Sequence, residues 1–449
     1  MRVREDAGVK RLFGTDGIRG VANKDLTPDL VLALGRAAGT IAAGGGPVVV
    51  GRDTRLSGPM LEAALVAGLC SAGVEVRTAG IVPTPAVAFL TVDEKAGCGA
   101  VVSASHNPVP DNGIKFFSDS GFKLEEAVER AIEEAMASSS EPLPVAGDIG
   151  IAGPLDAAVD RYVQHLLASI GGSLSGLRVV LDCAYGAAFE VAPRTFKEAG
   201  VEVIALHAEP DGTRINVGCG STDLTELAKE VVRTGADAGF AFDGDADRVL
   251  AIDEMGREVD GDRIVALSAL RLKEEEALTN DVVVSTVMAN LGFRRVLAEH
   301  GIDVITAPVG DKYVVQEMIE TGAVLGGEQS GHVIFAQHST TGDGTLTALQ
   351  VAATVHGSTS KLSQLAHVFE PFPQVLINVP VRSRDELEAA EALWDRVHAA
   401  EAKLGSDGRV LLRASGTEQL VRVMVEAEDE TLARRTAEDL ATAVKEHLA

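Results

Sequence analysis

Pro47–Val76 reads PVVVGRDTRLSGPMLEAALVAGLCSAGVEV: an apolar run, a small-residue turn, a helical pattern, and then Gly ahead of a second short apolar run. A strand, a helix and a strand in that order pair in parallel through a right-handed crossover. The same order returns at Leu177–Val203 (LRVVLDCAYGAAFEVAPRTFKEAGVEV) and at Asp281–Val304 (DVVVSTVMANLGFRRVLAEHGIDV). Three similar α/β units are therefore expected.

Two breaks set their limits. LEEAVERAIEEAMA from Leu124 is helix-periodic and runs into SSSEPLPVAGDIGIAGP, a Ser, Pro and Gly mixture that reads as a connection. A helix is expected from Leu155, with Val159, Tyr162, Val163, Leu166 and Ile170 on one face. The second break is FEPFP near Pro371. Beyond it the order becomes strand (VLINVPV), helix (ELEAAEALWDRVHAAEAKL), strands (RVLLR, LVRVMVEA) and a last helix, which suits a smaller α+β domain. The expected division is 1–153, 154–253, 254–370 and 371–449.

Composition narrows the function. A chain of 449 residues is too long for one ordinary core, and 46% apolar content excludes general disorder. With 66 acidic against 40 basic residues the formal charge is -26, a surface that repels a nucleic-acid backbone or an anionic membrane. Neither partner is expected, and an anionic ligand would need local Arg, Lys or metal. Cys70, Cys98, Cys183 and Cys219 form no CxxC pair and suit a reducing compartment. The start, MRVREDAGVKRLFG, is charged where a secretion signal is apolar, and no run of about 18 apolar residues occurs. A cytoplasmic, soluble protein is expected.

Four segments carry chemistry. In AGFAFDGDADRVLAIDEMG, Asp243, Asp245 and Asp247 alternate between two apolar runs, and three carboxylates so close repel unless a cation joins them. Oxygen ligands alone point to a hard divalent ion, Mg²⁺ if one place is kept for a phosphate oxygen. Glu254 lies where an EF-hand would put its last ligand, but Arg248 stands at the position that needs Gly and strands flank the loop. Arg248 could hold an anionic substrate. In GAVVSASHNPVPDNGIKFF a strand ends near Ser105 and His106, and Pro108 keeps Asn107 out of helix, so the Ser105 hydroxyl could be held outward as a nucleophile. Lys115 follows as a charge stabiliser or proton-transfer group.

LGGEQSGHVIF puts Glu328, Ser330 and His332 on one Gly-rich loop suited to vicinal sugar hydroxyls. RASGTEQLVRV gathers Arg413, Ser415, Gly416, Thr417 and Arg422 around a turn able to cradle phosphate, the local basic patch that the acidic surface demands. RLFGTDGIRG adds Arg19 as a further phosphate candidate. GxxxxGK[ST] and strand-linked GxGxxG loops are both missing, so neither ATP donation nor dinucleotide chemistry is indicated. A serine, a metal cluster and separate phosphate and hydroxyl grips suit phosphoryl transfer stored on the enzyme.

With RLFGTDGIRG, SASHNP and DNGIKFF, NVGCGST, FDGDADR, APVGDKYV, GEQSGH and RASGTE in that order, the chain resembles the α-D-phosphohexomutase superfamily over essentially its whole length. The resemblance implies three similar mixed-sheet α/β domains and a fourth α+β domain around a central cleft. It implies a phosphorylated Ser105 whose phosphate oxygen completes one Mg²⁺ site with Asp243, Asp245 and Asp247. Glu328 and Ser330 would select the sugar, and Arg413, Ser415, Gly416 and Thr417 would hold the non-reacting phosphate, with Arg422 and Arg248 as further substrate contacts. Lys115 and Arg19 would assist transfer, with His106 and His332 as catalytic candidates. A phosphosugar is the implied substrate and a sugar bisphosphate the implied intermediate; a homodimer stays open as the assembly.

Gln329 in GEQSGH favours the branch that interconverts glucosamine 6-phosphate and glucosamine 1-phosphate, a step toward UDP-N-acetylglucosamine and the cell wall. Mannose or glucose phosphate mutases of the superfamily are the alternative, and an aspartyl-phosphate phosphatase using Asp243 is a more distant one. Two residues depart from the branch pattern: Ala246 where Gly is frequent, and Gln419 where Pro is usual.

Overall fold

The structure, a computed structural model, describes residues 11–14, 16–138, 142–415 and 419–448. The Pro47 repeat forms as read. Strand Val48–Arg52 lies parallel both to Val76–Ile81, reached through helix Gly58–Ser71, and to Cys98–Val102. Cys98–Val102 then turns back as the antiparallel strand Asp111–Ser118. The second unit repeats this with Arg178–Asp182 between Glu202–Leu206 and Ala238–Phe242, and Val249–Asp253 antiparallel to the last. The third repeats it with Val282–Thr286 between Asp303–Ala307 and Leu325–Gly327, followed by Val333–Phe335.

Extra strands enlarge the first two sheets to six and five strands, whereas the third has four. Part of the Ser, Pro and Gly connection is one of these additions: Ala152–Pro154 pairs with Val76–Ile81 as the outer strand of the first sheet. The helix expected from Leu155 begins at Ala158, because Ala157 takes a left-handed backbone. Its Tyr162 is buried and donates to Asp343 Oδ2 at 2.6 Å, which ties the second unit to the third.

The C-terminal domain is a three-stranded antiparallel sheet, Gln374–Pro380, Leu420–Ala427 and Gly408–Ala414, with two helices. Its first helix spans Glu391–Leu404 and not the whole run from Glu386. Leu387 is instead packed into the core, and its carbonyl accepts the Trp394 indole N–H at 2.9 Å.

Apolar burial decides the grouping. One continuous core runs from Val49 and Phe117 through Leu181 and Phe240 to Leu325 and Leu349, so the three α/β units share it. The C-terminal domain has a separate core around Val379, Leu412, Val423 and Val444. It is fastened to the third unit by buried Glu426, which accepts the Leu291 N–H, and by Arg409, whose guanidinium donates to the Val287 carbonyl. Among the described residues no helix is long and apolar enough to cross a membrane. The four cysteines carry no disulfide.

Candidate active site

The repeat places the site. In each unit the turn after the third strand of the shared topology carries polar residues: 103–110, 243–248 and 328–332. These three turns meet where the units pack together.

Ser105 follows strand Cys98–Val102 and sits at φ 51, a left-handed backbone that disfavours a non-Gly residue by about 1–2 kcal/mol. Such strain persists only where surrounding contacts enforce it. Its N–H donates to Ser103 Oγ (3.0 Å), and that hydroxyl donates to Asp53 Oδ2 (2.7 Å). The side chain is not held outward: at 1% exposure, Ser105 Oγ donates to Asp243 Oδ2 at 2.5 Å, with His106 Nδ1 at 3.2 Å. Gly244 makes this approach possible, since a Cβ there would lie 2.6 Å from the Ser105 carbonyl oxygen.

Asp243, Asp245 and Asp247 are buried, with carboxylate oxygens within 4.8 Å of one another. Burial, then the charges of Asp247 and Asp245, push the Asp243 carboxyl well above the usual carboxylate range. Burial also opposes ionisation of Asp245, but the Lys115 ammonium and hydrogen bonds from Thr84 and Lys115 outweigh it and hold that carboxyl below the usual range. Lys115 Nζ lies 3.0 Å from Asp245 Oδ2, 3.4 Å from Asp247 Oδ2 and 3.3 Å from Asp16 Oδ2, so it is buried among acids and is not a surface lysine. Asp245 Oδ1 and Asp247 Oδ1 are buried with no hydrogen-bond partner. Orphaned oxygens are costly to bury, and a divalent cation joining the trio would satisfy them. The EF-hand alternative ends here too, because Glu254 turns away to accept the Ser363 N–H.

Around this centre Arg19 donates to Asn107 Oδ1 (2.9 Å) and to Asp16. His106 is pushed down to about 4, mainly by burial and then by the charges of Arg248 and Arg19. His332 Nε2 accepts the Gly342 N–H (3.0 Å), so the ring proton sits on Nδ1, 3.9 Å from Asp247 Oδ2. Arg248 reaches toward Asp247 Oδ1 at 3.9 Å. Glu328 accepts the Gly310 N–H at Oε1 (3.2 Å) and the Ser330 hydroxyl at Oε2 (3.3 Å), and Val249 N–H to the Gly331 carbonyl joins this loop to the Asp hairpin.

On the C-terminal sheet, Arg413 and Arg422 face each other across paired strands. Burial and the Arg422 charge lower the Arg413 pKa, the condition of a site that favours an anion. Ser415 N–H closes the turn onto the Leu420 carbonyl (2.9 Å). Gly416 and Thr417 lie outside the described residues.

Profiles of the phosphoglucomutase/phosphomannomutase family match α/β/α domain I at residues 10–142, domain II at 160–256, domain III at 260–372 and the C-terminal domain at 376–443. A phosphoglucosamine mutase of Salinispora arenicola is 52% identical over 443 residues, covering 97% of this chain and 98% of that one. One from Rhodococcus opacus is 50% identical over 440 residues, covering 97% and 99%. The chain belongs to the phosphoglucosamine mutase family. It is thus an isomerase of the α-D-phosphohexomutase superfamily. A phosphoglucomutase/phosphomannomutase family protein of Burkholderia thailandensis superposes with TM-score 0.83 at 27% identity over 98% of each chain. An N-acetylglucosamine-phosphate mutase solved as its substrate complex shares the fold, with TM-score 0.69 at 18% identity over 98% of this chain and 97% of that one.

Set in this mutase family, the departure at Ala246 has a local cause. The residue sits at φ 57, where Gly is free of the Cβ clash, and its carbonyl accepts the Gly344 N–H at 2.9 Å, so the Asp turn keeps its shape with Ala at some cost in strain. Several site residues escaped the sequence reading. Asp16 accepts from Lys123 and Arg19 and forms an ion pair with Lys115, and Lys123 also pairs with Asp311, joining the first unit to the third. Thr84 clamps Asp245 Oδ2 at 2.6 Å, and Arg384 donates to the Ser415 carbonyl at 2.6 Å. Asp16 lies inside RLFGTDGIRG and Asp311 inside APVGDKYV, motifs whose other residues carry the resemblance. Thr84, Lys123 and Arg384 stood in no motif.

Proposed function

We propose that the chain interconverts glucosamine 6-phosphate and glucosamine 1-phosphate through a phosphoryl group stored on Ser105. The observation that carries this is the 2.5 Å contact from Ser105 Oγ to Asp243 inside a buried trio of carboxylates. Mg²⁺ held by Asp243, Asp245 and Asp247, with a phosphate oxygen on Ser105, would supply charge stabilisation for the transferring group. Lys115 adds a fixed positive charge against the same carboxylates, and Arg19 stands beside the Ser105 loop. The phosphoryl group passes from Ser105 to the free sugar hydroxyl, which gives a sugar bisphosphate. The sugar turns, and Ser105 takes the other phosphoryl group back. Glu328 and Ser330 hold sugar hydroxyls during both steps, while Arg248 contacts the substrate, and Arg413, Arg422, Ser415, Gly416 and Thr417 hold the phosphate that is not reacting. His106 and His332 are the candidates for moving the proton.

Turnover of glucosamine 6-phosphate is expected to exceed that of mannose and glucose 6-phosphates by at least about tenfold in kcat/KM. The reverse order would reassign the sugar. The enzyme-bound phosphoryl group should survive acid and hydroxylamine; release by hydroxylamine would move the nucleophile to Asp243. Because a metal bound only by the folded chain stabilises it, Mg²⁺ at about 100 times its Kd should add about 2.7 kcal/mol. The thermal midpoint should rise accordingly, fall back with chelator, and respond little in Asp245→Asn. A midpoint indifferent to Mg²⁺ would remove the metal assignment.

A further inference from the structure

The turn that bears Ser105 is built around a side chain the chemistry above does not use. Arg55 lies at the start of the first repeat's crossover and is fully buried. Its guanidinium donates to the carbonyls of Ser105 (2.9 Å), Asn107 (2.8 Å), Pro108 (2.7 Å) and Asp111 (2.9 Å), and its Nε to Asp53 Oδ2 (3.0 Å). All five donors of a guanidinium are used, which only its planar fork can do. The same Asp53 oxygen takes the Ser103 hydroxyl that receives the Ser105 N–H. A second donor reaches the Ser105 carbonyl from the second unit: Asn216 Nδ2, at 2.9 Å, from the NVGCGST stretch.

A buried charge is retained against its desolvation cost only where its partners are fixed, and here the partners are the backbone of one turn. Two donors on a single carbonyl set the peptide plane after Ser105, while Ser103 Oγ holds the N–H on the other side, and together these contacts fix the left-handed backbone that aims Oγ at Asp243. We propose that Arg55 and Asn216 are positioning residues for the nucleophile, acting through the Ser105 carbonyl. This rests on the reading of Ser105 as the phosphoryl store.

The test uses the full-length Mg²⁺-loaded chain. Steady-state turnover of glucosamine 6-phosphate is measured for Arg55→Lys and Asn216→Ala, and the rate of Ser105 phosphorylation by a sugar 1,6-bisphosphate is followed by intact mass. Lysine keeps the charge but cannot reach all five acceptors, so Arg55→Lys should lose about 100-fold in kcat with KM within about threefold, the cost of a misplaced reacting group. Phosphorylation of Ser105 should slow by a similar factor. Asn216→Ala should lose about tenfold in kcat, and it decides the matter if Arg55→Lys does not fold. Turnover within threefold of the unmodified protein in folded Arg55→Lys, or within twofold in Asn216→Ala, overturns the inference. So does a normal rate per phosphorylatable site with merely fewer such sites, which is what a purely structural role would give. Absence of phosphate from Ser105 in the unmodified protein would instead sink the phosphoryl-store reading itself, a result separable from normal turnover in the variants.

Discussion

Replacing Ser105 by alanine is expected to lower kcat by about 10⁴-fold or more, because the proposed covalent route requires the oxygen that alanine lacks. The fold should be kept. Ser105 contributes two hydroxyl hydrogen bonds, to Asp243 and with His106, and no packing that alanine lacks, and its left-handed backbone is no worse for Ala than for Ser. Intact mass after exposure to a sugar bisphosphate should show the added phosphoryl group in the unmodified protein and not in Ser105→Ala. Near-normal turnover by the purified variant would refute the phosphoserine route.

The second large effect is expected at Lys115. Its ammonium is the cation nearest two members of the Asp trio, and it also serves Asp16. Removing one partner of a buried charge network leaves the others uncompensated, at a cost of about 3–5 kcal/mol. Lys115→Met should therefore lose that much stability in urea unfolding of the metal-free protein, and less with Mg²⁺, which shares the compensation. The pH dependence has a definite sign. Burial lowers the Lys115 pKa, but Asp16, Asp245 and Asp247 outweigh this and raise it above the ordinary value, so its contribution is complete below about pH 10 and is lost as pH rises through the folded pKa. Asp245 is depressed, so its contribution is complete above about pH 4 and is lost as pH falls through its folded pKa. The difference between Lys115→Met and the unmodified protein should thus be flat from about pH 4 to 10 and shrink in acid. A stability difference below about 1 kcal/mol at pH 7 would show that Lys115 is not the compensating charge.

Much of this site could be read from local strings, since each loop belongs to one turn of a repeated unit. SASHNP, DGDADR and EQSGH announce themselves because each gathers hydroxyl, carboxylate or imidazole groups into one short turn directly after an apolar strand run. Lys115 was a candidate from its own stretch, but the carboxylates it meets, like Thr84 and Lys123 themselves, were not legible for a physical reason. Thr84 meets Asp245 across 161 positions, Lys115 meets it across 130, and Lys123 meets Asp16 across 107. Taken in its own stretch, each of these side chains is a Thr before a helix or a Lys near a strand, and nothing in its neighbours tells a surface lysine from one sealed among acids. The outward-facing serine was misjudged for the same reason: Pro108 does constrain its turn, but the direction of the hydroxyl depends on groups brought from the first crossover and from the second unit.

Alternating apolar residues and small-residue turns, acting over a few positions at a time, determined the three crossover units, the separate C-terminal sheet and the turns that carry the candidate site residues. Packing of those units onto a shared core decided the rest: which turns meet, which charges face one another, and which way Ser105 points. Local pattern selects an element by burial of its own face, whereas the worth of a charge is set by the water and partners around it, and these exist only once distant segments have closed on each other.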